Sequence, residues 1–117
     1  MKKDVRGILN SFKEGLGAIS ETNQENVEAF MGLLNSGYKE GALTTKTKEL
    51  ISVAIGIYNR CEYCIVCHTY AALELGATRE EIMEAAMVAV GFGGGPSMAY
   101  SATLLKDCID EFEKDFI

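Results

Sequence analysis

Long hydrophobic runs are missing from this sequence, and positive charge is scarce. The longest apolar stretches, residues 50–58 and 85–92, are far shorter than a helix needs to cross a bilayer. Eleven Lys and Arg side chains stand against seventeen Asp and Glu, which gives a formal charge of −6. Such a balance repels phosphate groups and anionic lipids, so we expect neither a nucleic acid nor a membrane as partner. Charged residues close to the N-terminus interrupt the apolar core that a signal peptide requires, which favours a cytoplasmic protein.

Proline is rare and tryptophan is absent. The chain has one proline, no tryptophan and twelve glycines among 117 residues, a composition that fits helices separated by glycine. Apolar residues make up 48% and charged residues 24%, which excludes a disordered or low-complexity chain. A chain of this length holds one hydrophobic core, so we expect a single domain over residues 1–117.

Apolar residues recur at spacings of three and four along most of the chain, which is the periodicity of amphipathic helices. Cap-forming residues and glycines mark where helices start and stop, and Thr78 with Glu81 forms a capping box. Together these signals predict an all-α bundle of about six helices. The predicted helices are residues 4–19, a second ending near Gly37, 45–58, 61–75, a fifth that Thr78 opens and residues 91–95 stop, and a sixth from Pro96 to the C-terminus.

The third predicted helix contains the run 50–58, whose β-branched side chains also fit a buried strand. We favour a helix because no second strand is found elsewhere in the sequence, and a lone strand leaves its backbone hydrogen bonds unsatisfied. The run is apolar on nearly every side. A helix of that kind belongs at the centre of the fold or in a subunit interface.

Three of the four cysteines and the only histidine cluster as Cys61, Cys64, Cys67 and His68. With about 100° of rotation per helical residue, Cys61, Cys64 and His68 share one narrow face, and Cys67 lies at its edge. Two cysteines three residues apart on a helix meet the Cα separation that a disulfide needs. The first helical turn and Arg60 both favour a thiolate, and His68 is placed to relay a proton. This pattern indicates a thiol–disulfide or peroxide-reducing site.

Four other interpretations of this cluster stay open. In the first, the cysteines are buried apolar side chains, since free cysteine is among the most buried residue types. The second is a zinc site made by all four residues, although one continuous helix cannot wrap four ligands around one ion. The third is an iron–sulfur run, which lacks a nearby fourth cysteine followed by proline. The fourth is c-type haem attachment, whose Cys-x-x-Cys-His pattern residues 64–68 match.

Glu49 precedes the cluster in the pattern Glu-x11-Cys-x-x-Cys-x3-His. With the segments 43–51, 71–78 and 80–82 around it, this pattern resembles the carboxymuconolactone decarboxylase-like superfamily, in particular its branch related to alkyl hydroperoxidase D. The resemblance covers roughly residues 25–110. It implies an all-helical fold that assembles into homotrimers or homohexamers.

The resemblance also implies a role for each of the four residues. Cys64 attacks a small-molecule hydroperoxide, and Cys61 resolves the resulting sulfenic acid into a disulfide. Glu49 and His68 form a proton relay. An external dithiol reductant restores the pair, and the cycle needs no metal and no organic cofactor.

The chain departs from this pattern in a few places. Alkyl hydroperoxidase D has a histidine between its two cysteines, where this chain has Glu62 and Tyr63, so the reductant and the substrate preference need not transfer. Cys67 is an extra thiol, which could compete for the sulfenic acid. Another branch decarboxylates a lactone acid and typically lacks the cysteine pair, so the pair argues against that alternative.

Some further features have structural interpretations. Cys108 lies among apolar residues of the last helix and is predicted to be a buried core thiol. The glycine run 91–95 follows a helix and is predicted to break it rather than to bind phosphate. Tyr63, Tyr70 and Tyr100 either line the site or fill the core, and the sequence leaves both options open.

Overall fold

The computed structural model describes residues 2–117, and all regular structure in that part of the chain is helical. The prediction of an all-α fold is confirmed, and the strand alternative for residues 50–58 is wrong. The elements are α1 (Val5–Ser20), α2 (Gln24–Gly37), α3 (Thr45–Asn59), α4 (Glu62–Glu74), α5 (Arg79–Gly93), α6 (Gly95–Tyr100), a π-helical turn (Ser101–Leu105), α7 (Lys106–Phe112) and a 3₁₀ turn (Glu113–Asp115).

Capping residues and glycines set the helix boundaries close to their predicted positions. The Thr44 hydroxyl accepts a hydrogen bond from the N–H of Thr47 at 3.0 Å, and Thr78 with Glu81 makes both bonds of the capping box. Gly76, just after α4, has φ +89°, a conformation that glycine adopts without a Cβ clash. Gly94 has φ +65° and separates α5 from α6, which places the predicted break within the glycine run.

The last predicted helix is interrupted, unlike the single α-helix that the sequence predicts. The π-helical turn stands between α6 and α7. Ser101, Leu104 and Leu105 are buried in it, and it packs against α4. A π turn adds a residue and so redirects the side chains that follow it. Packing against α4, not local helix propensity, accounts for this turn, and the sequence periodicity therefore gives no sign of it.

α4 lies at the centre of the bundle, in contact with α1, α3, α7 and the π-helical turn. Its buried side chains include Ile65, Val66 and Leu73. Burying a side chain of this size contributes about 1.5–3 kcal/mol relative to leaving it in water. α2 is the opposite case, because it packs mainly along α1 and has no buried residue.

α3, which is predicted to lie at the centre of the fold or in a subunit interface, is buried along one stripe only in the single chain. Val53 and Ile57 face the core and are fully buried. The opposite stripe is open, and together with part of α5 it forms an apolar surface that we call the α3–α5 face. Its members are Ile51, Ile55 and Tyr58 of α3 with Val88 and Phe92 of α5. Across residues 2–117, no helix combines the length and apolar content needed to span a membrane.

Ion pairs tie the C-terminal elements to the rest of the bundle. Arg6 of α1 pairs with Glu111 at 3.0 Å, and Arg79 of α5 pairs with Asp110. Hydrogen bonds from Lys106 and then from Arg79 lower the pKa of Asp110 to about 2. These contacts fix α7 against α1 and α5.

Candidate functional site

A residue in the left-handed conformation ends α3 and turns the chain into α4. Arg60 has φ 55° and ψ 40°, and its N–H donates to the carbonyl of Ile57 at 3.2 Å. The N–H of Cys61 donates to the carbonyl of Gly56 at 2.9 Å, which completes the capping of the helix end. A non-glycine side chain in this conformation costs roughly 1–2 kcal/mol. The chain thus holds a strained residue directly before the two cysteines.

Cys61 is the N-cap of α4, with a sulfur in the place that a side-chain oxygen usually takes. The N–H of Cys64 donates to Cys61 Sγ at 3.3 Å. The Cα atoms of the two cysteines are 5.2 Å apart, and their sulfurs are joined in a disulfide. The first turn of α4 therefore brings together the two thiols whose spacing predicts that they can meet.

Gly56 allows α3 to approach this turn closely. A Cβ at residue 56 would lie 3.1 Å from Cys64 Cβ and 3.3 Å from the backbone nitrogen of Ile65. Contacts that short require the neighbouring backbone to move, since packed interiors have little free space. Because Gly56 has no side chain, Cys64 can pack this closely against α3.

Glu49 and His68 meet one turn further along α4. The distance between His68 Nδ1 and Glu49 Oε1 is 2.6 Å. Glu49 is only 9% exposed, and a buried carboxylate requires a partner of this kind. The contact orients the imidazole through Nδ1 and leaves Nε2 for other groups. Glu49, which the family resemblance alone singles out, therefore lies against the histidine with which it is expected to act.

Tyr38 also contacts this histidine, although no sequence pattern singles it out. Its ring stacks on the imidazole with centroids 5.7 Å apart and planes 14° apart. The Tyr38 hydroxyl is hydrogen-bonded to Ser52 of α3, and its carbonyl accepts a bond from the Thr45 hydroxyl at 2.7 Å. These anchors hold the ring over one face of His68.

The remaining two cysteines are free thiols in less polar surroundings. Cys67 is partly buried beside the site, and Cys108 is fully buried on α7, as predicted for a core thiol. Burial raises the pKa of Cys67, and the ammonium of Lys13 offsets part of this rise. Burial raises the pKa of Cys108 to about 12. In the described part of the chain, no three His, Cys, Asp or Glu side chains are grouped so that they could hold a metal ion.

A cavity of about 550 Å³ opens between α1, α2 and α4, and we call it the site cavity. Cys64, Cys67 and His68 line it, whereas Cys61 does not. Its apolar walls come from Leu9, Phe12 and Leu16 of α1 and from Phe30, Met31 and Leu34 of α2. Of the three tyrosines that the sequence leaves undecided, Tyr63 and Tyr70 line this cavity, while Tyr100 borders a separate cleft next to Lys3 and Glu62.

Sequence comparison relates most of the chain to known proteins. Residues 24–107 match the model of the carboxymuconolactone decarboxylase family. An uncharacterized protein of Cupriavidus necator is 31% identical over 105 residues, which cover 90% of this chain and 93% of that protein. Uncharacterized protein 4 of the cox locus of Paracoccus denitrificans is 34% identical over 106 residues, 88% of this chain and 95% of that one.

Crystal structures of two related proteins resemble the fold over most of its length. An apo carboxymuconolactone decarboxylase family protein from Legionella pneumophila is 36% identical with a TM-score of 0.88, over 93% of this chain and 96% of that chain. A member of the same family from Thermotoga maritima, for which a part in the antioxidative response has been suggested, is 31% identical. Its TM-score is 0.65, over 85% of this chain and 92% of that chain.

Proposed function

This chain belongs to the carboxymuconolactone decarboxylase family, and within that family we propose that it is a peroxiredoxin-type alkyl hydroperoxidase that defends against oxidative stress. The observation that carries the proposal is the Cys61–Cys64 disulfide placed one turn ahead of the His68–Glu49 hydrogen bond. The antioxidative role suggested for the Thermotoga maritima relative supports the same direction.

We assign the attack on the peroxide to Cys64, because this cysteine lines the site cavity and Cys61 does not. The Cys64 thiolate attacks the terminal peroxide oxygen, so that an S–O bond forms, the O–O bond breaks and an alkoxide leaves. The Cys61 thiolate then attacks the sulfenic sulfur, and the oxygen leaves as water. Two thiols and one hydroperoxide thus give a disulfide, an alcohol and water.

In this proposal His68 moves the protons. Its Nε2 accepts the proton of the Cys64 thiol, directly or through water, and returns a proton to the leaving alkoxide. Glu49 is a positioning residue, since it contacts the imidazole and not the sulfur. Tyr38 is a second positioning residue, because its stacked ring restricts the rotation of His68.

The cycle is closed by an external dithiol reductant. Its thiolate reaches Cys64 through the site cavity and displaces Cys61, whose thiolate the N-terminal end of α4 stabilises. Enzymes that need a steady supply of reduced dithiol work in a reducing compartment. We therefore propose the cytoplasm as the place of action.

We further propose that the chain assembles as a homotrimer or homohexamer through the α3–α5 face. Val88 and Phe92 are 62% and 82% exposed there, and they adjoin the exposed apolar stripe of α3. Contiguous apolar surfaces of this kind usually mark an interface. Light scattering after size exclusion should give a multiple of the 12.7 kDa chain mass, and Phe92→Glu should lower it. A wild-type mass of a single chain would contradict this assembly.

Thiol counting tests the peroxidase proposal. Reduced protein mixed with an organic hydroperoxide should rapidly lose the thiols of Cys61 and Cys64. The Cys64→Ser variant should lose this reactivity. Cys61→Ser should stop at a sulfenic acid that dimedone traps, unless Cys67 condenses with it in place of Cys61. Cys67→Ser is the matched control and should react at the wild-type rate.

Equal rates in Cys64→Ser and the wild type would overturn the assignment of the attacking sulfur. Thiols that persist in excess hydroperoxide would overturn the peroxidase proposal itself. A decarboxylase would instead turn over a lactone acid unchanged after both cysteines became serine. A metal-binding module would hold zinc or iron and show thiols protected from alkylation.

A further inference from the structure

The site cavity is larger and more apolar than a small peroxide requires. We infer that it binds an organic hydroperoxide with a long apolar body and a carboxylate group, and that Lys13 pairs with the carboxylate. This inference rests on the proposed peroxidase function and adds the class of substrate to it.

The size of the cavity favours a large ligand. Its volume of about 550 Å³ lies within the range of small-molecule sites, roughly 300–1,000 Å³. A ligand gains affinity with each methylene group that it buries, because apolar surface is removed from water. Hydrogen peroxide has no such group, and it exchanges water for apolar walls that offer few hydrogen bonds. The walls therefore select for the organic part of the substrate.

The walls themselves leave apolar side chains exposed to water. Phe12 is 38% exposed, Phe30 44% and Met31 38%, and all three line the site cavity. They come from α1 and from α2, the helix without a buried residue. An apolar ligand between the two helices would cover these side chains, which the single chain leaves open. The thiol of Cys64 lies on the α4 side of the same space.

Lys13 is the single lysine or arginine that lines the site cavity. Its ammonium lies 5.5 Å from the centre of the Tyr70 ring and is near enough to Cys67 to oppose the rise in that thiol's pKa. Within residues 2–117, no carboxylate oxygen lies within 4.0 Å of its ammonium nitrogen, although most other basic side chains of the bundle have such a partner. Lys13 is exposed, and its ammonium is available to pair with a carboxylate on the ligand.

Glu74 is the single carboxylate among the lining residues, and it repels a negatively charged ligand. Its presence makes the charge selectivity modest, since ion pairs between exposed side chains contribute little to binding. The pair of charges also provides opposite test variants. Removing the charge of Lys13 should weaken the preference for an acid, and removing the charge of Glu74 should strengthen it.

The reaction follows the proposed chemistry and yields a hydroxy acid. The Cys64 thiolate takes the terminal oxygen of the hydroperoxide, the O–O bond breaks, and the inner oxygen leaves as an alcohol on the apolar chain. The carboxylate next to Lys13 is unchanged. The Cys61–Cys64 disulfide that forms is reduced by the external dithiol.

The experiment compares linoleic acid hydroperoxide, its methyl ester and hydrogen peroxide by stopped-flow thiol loss. Wild type should react fastest with the acid and slowest with hydrogen peroxide. Lys13→Gln should lower the ratio of the rate constant for the acid to that for the ester about three- to five-fold. Glu74→Gln should raise the rate for the acid, and Lys39→Gln, outside the cavity, should change none of the three. Phe30→Ala should slow acid and ester alike, about ten-fold.

A binding measurement separates this inference from the proposed function. Calorimetry with the oxidised wild-type protein and the hydroxy acid product should show binding that Lys13→Gln weakens about three- to five-fold. If no peroxide consumes thiols but this binding is found, the peroxidase proposal fails and the site stands. Equal effects of Lys13→Gln on acid and ester overturn the inference, as does hydrogen peroxide reacting as fast as the acid. Absent binding, with a change of oligomeric mass in Phe30→Ala, would assign the walls to contacts between copies and also overturn it.

Discussion

The first turn of α4 and the packed layer between α4 and α7 hold cysteines of opposite character. In the first turn, Cys61 accepts a backbone N–H and Cys64 lines the site cavity. In the packed layer, Cys108 is fully buried, and burial raises its pKa to about 12. Cys67 lies between the two regions, because it lines the site cavity while partial burial raises its pKa. Side chains of one chemical type are thus expected to differ in reactivity, because a helix start supplies partial positive charge and access, whereas the interior around Cys108 supplies neither.

The largest expected difference between these two regions is the rate of alkylation. With a pKa of about 12, roughly one Cys108 thiol in ten thousand is ionised at pH 8. Iodoacetamide should therefore label Cys108 of the reduced, folded protein about 1,000-fold more slowly than Cys64. Peptide mapping by mass spectrometry over time measures both rates. In concentrated urea the two rates should converge. Equal rates in the folded protein would contradict the predicted difference in reactivity between Cys64 and Cys108.

Gly56→Ala should disturb the first turn and leave the packed layer intact. The added Cβ meets Cys64 Cβ at 3.1 Å and backbone at 3.3 Å, so α4 has to shift. We expect a loss of about 1–3 kcal/mol in the free energy of unfolding and a slower reaction with peroxide. Urea unfolding and stopped-flow thiol loss measure the two effects.

Gly15→Ala is the matched control, because a Cβ at that position of α1 meets nothing within 4 Å. It should stabilise the helix by about 0.5–1 kcal/mol. If both alanine variants were equally stable, close packing of α3 on the first turn would not be the reason for Gly56.

Arg60→Gly should relieve the backbone strain next to the first turn of α4. Arg60 is the one non-glycine residue in 2–117 with a positive φ, and glycine adopts that conformation freely. We expect a net gain of about 0.5–1 kcal/mol in unfolding free energy, since the added freedom of the unfolded chain offsets part of the relief. Arg60→Ala keeps the strained conformation and should bring no gain. Equal stabilities of the glycine and alanine variants would show that the conformation carries no strain.

The smallest effect on stability is expected at α7, when the pH is lowered. The folded-state pKa of Asp110, about 2, is below its unfolded value of about 3.9. Its ion pairs therefore stabilise the fold fully at pH values above about 4. This contribution should be lost as the pH falls from about 4 to 2. Asp110→Asn should lower the melting temperature by about 1–4 °C at pH 6, and the difference should shrink toward pH 2. A difference that stays constant over that range would contradict the role of the charge.

The sequence predicts the parts of this molecule that depend on local chemistry. Thr78 and Glu81 mark a helix start because a capping box needs only residues three positions apart. The Cys61–Cys64 pairing follows from helical geometry in the same way. Glu49 is different, because it meets His68 only after α3 and α4 pack, and the family resemblance rather than the local pattern points to it.

Features that depend on tertiary packing are invisible in the sequence. Tyr38 reaches His68 from a connecting segment without periodicity, so nothing local links the two rings. Nothing in the sequence distinguishes Lys13 from other exposed lysines, because only the packing of α1 against α2 and α4 makes it line the site cavity. The π-helical turn follows from contact with α4, and periodicity predicts a regular helix at that place.

Because the sulfur of Cys61 caps α4, the stability of the helix start depends on whether the Cys61–Cys64 pair is oxidised or reduced. A thiolate accepts a backbone N–H more strongly than a disulfide sulfur does, because charge-assisted hydrogen bonds are roughly twice as strong as neutral ones. Reduction of the disulfide to a Cys61 thiolate should therefore strengthen the hydrogen bond that caps the start of α4. A reduced form that is stabilised in this way has a higher reduction potential, so we expect the start of α4 to raise the reduction potential of the Cys61–Cys64 pair.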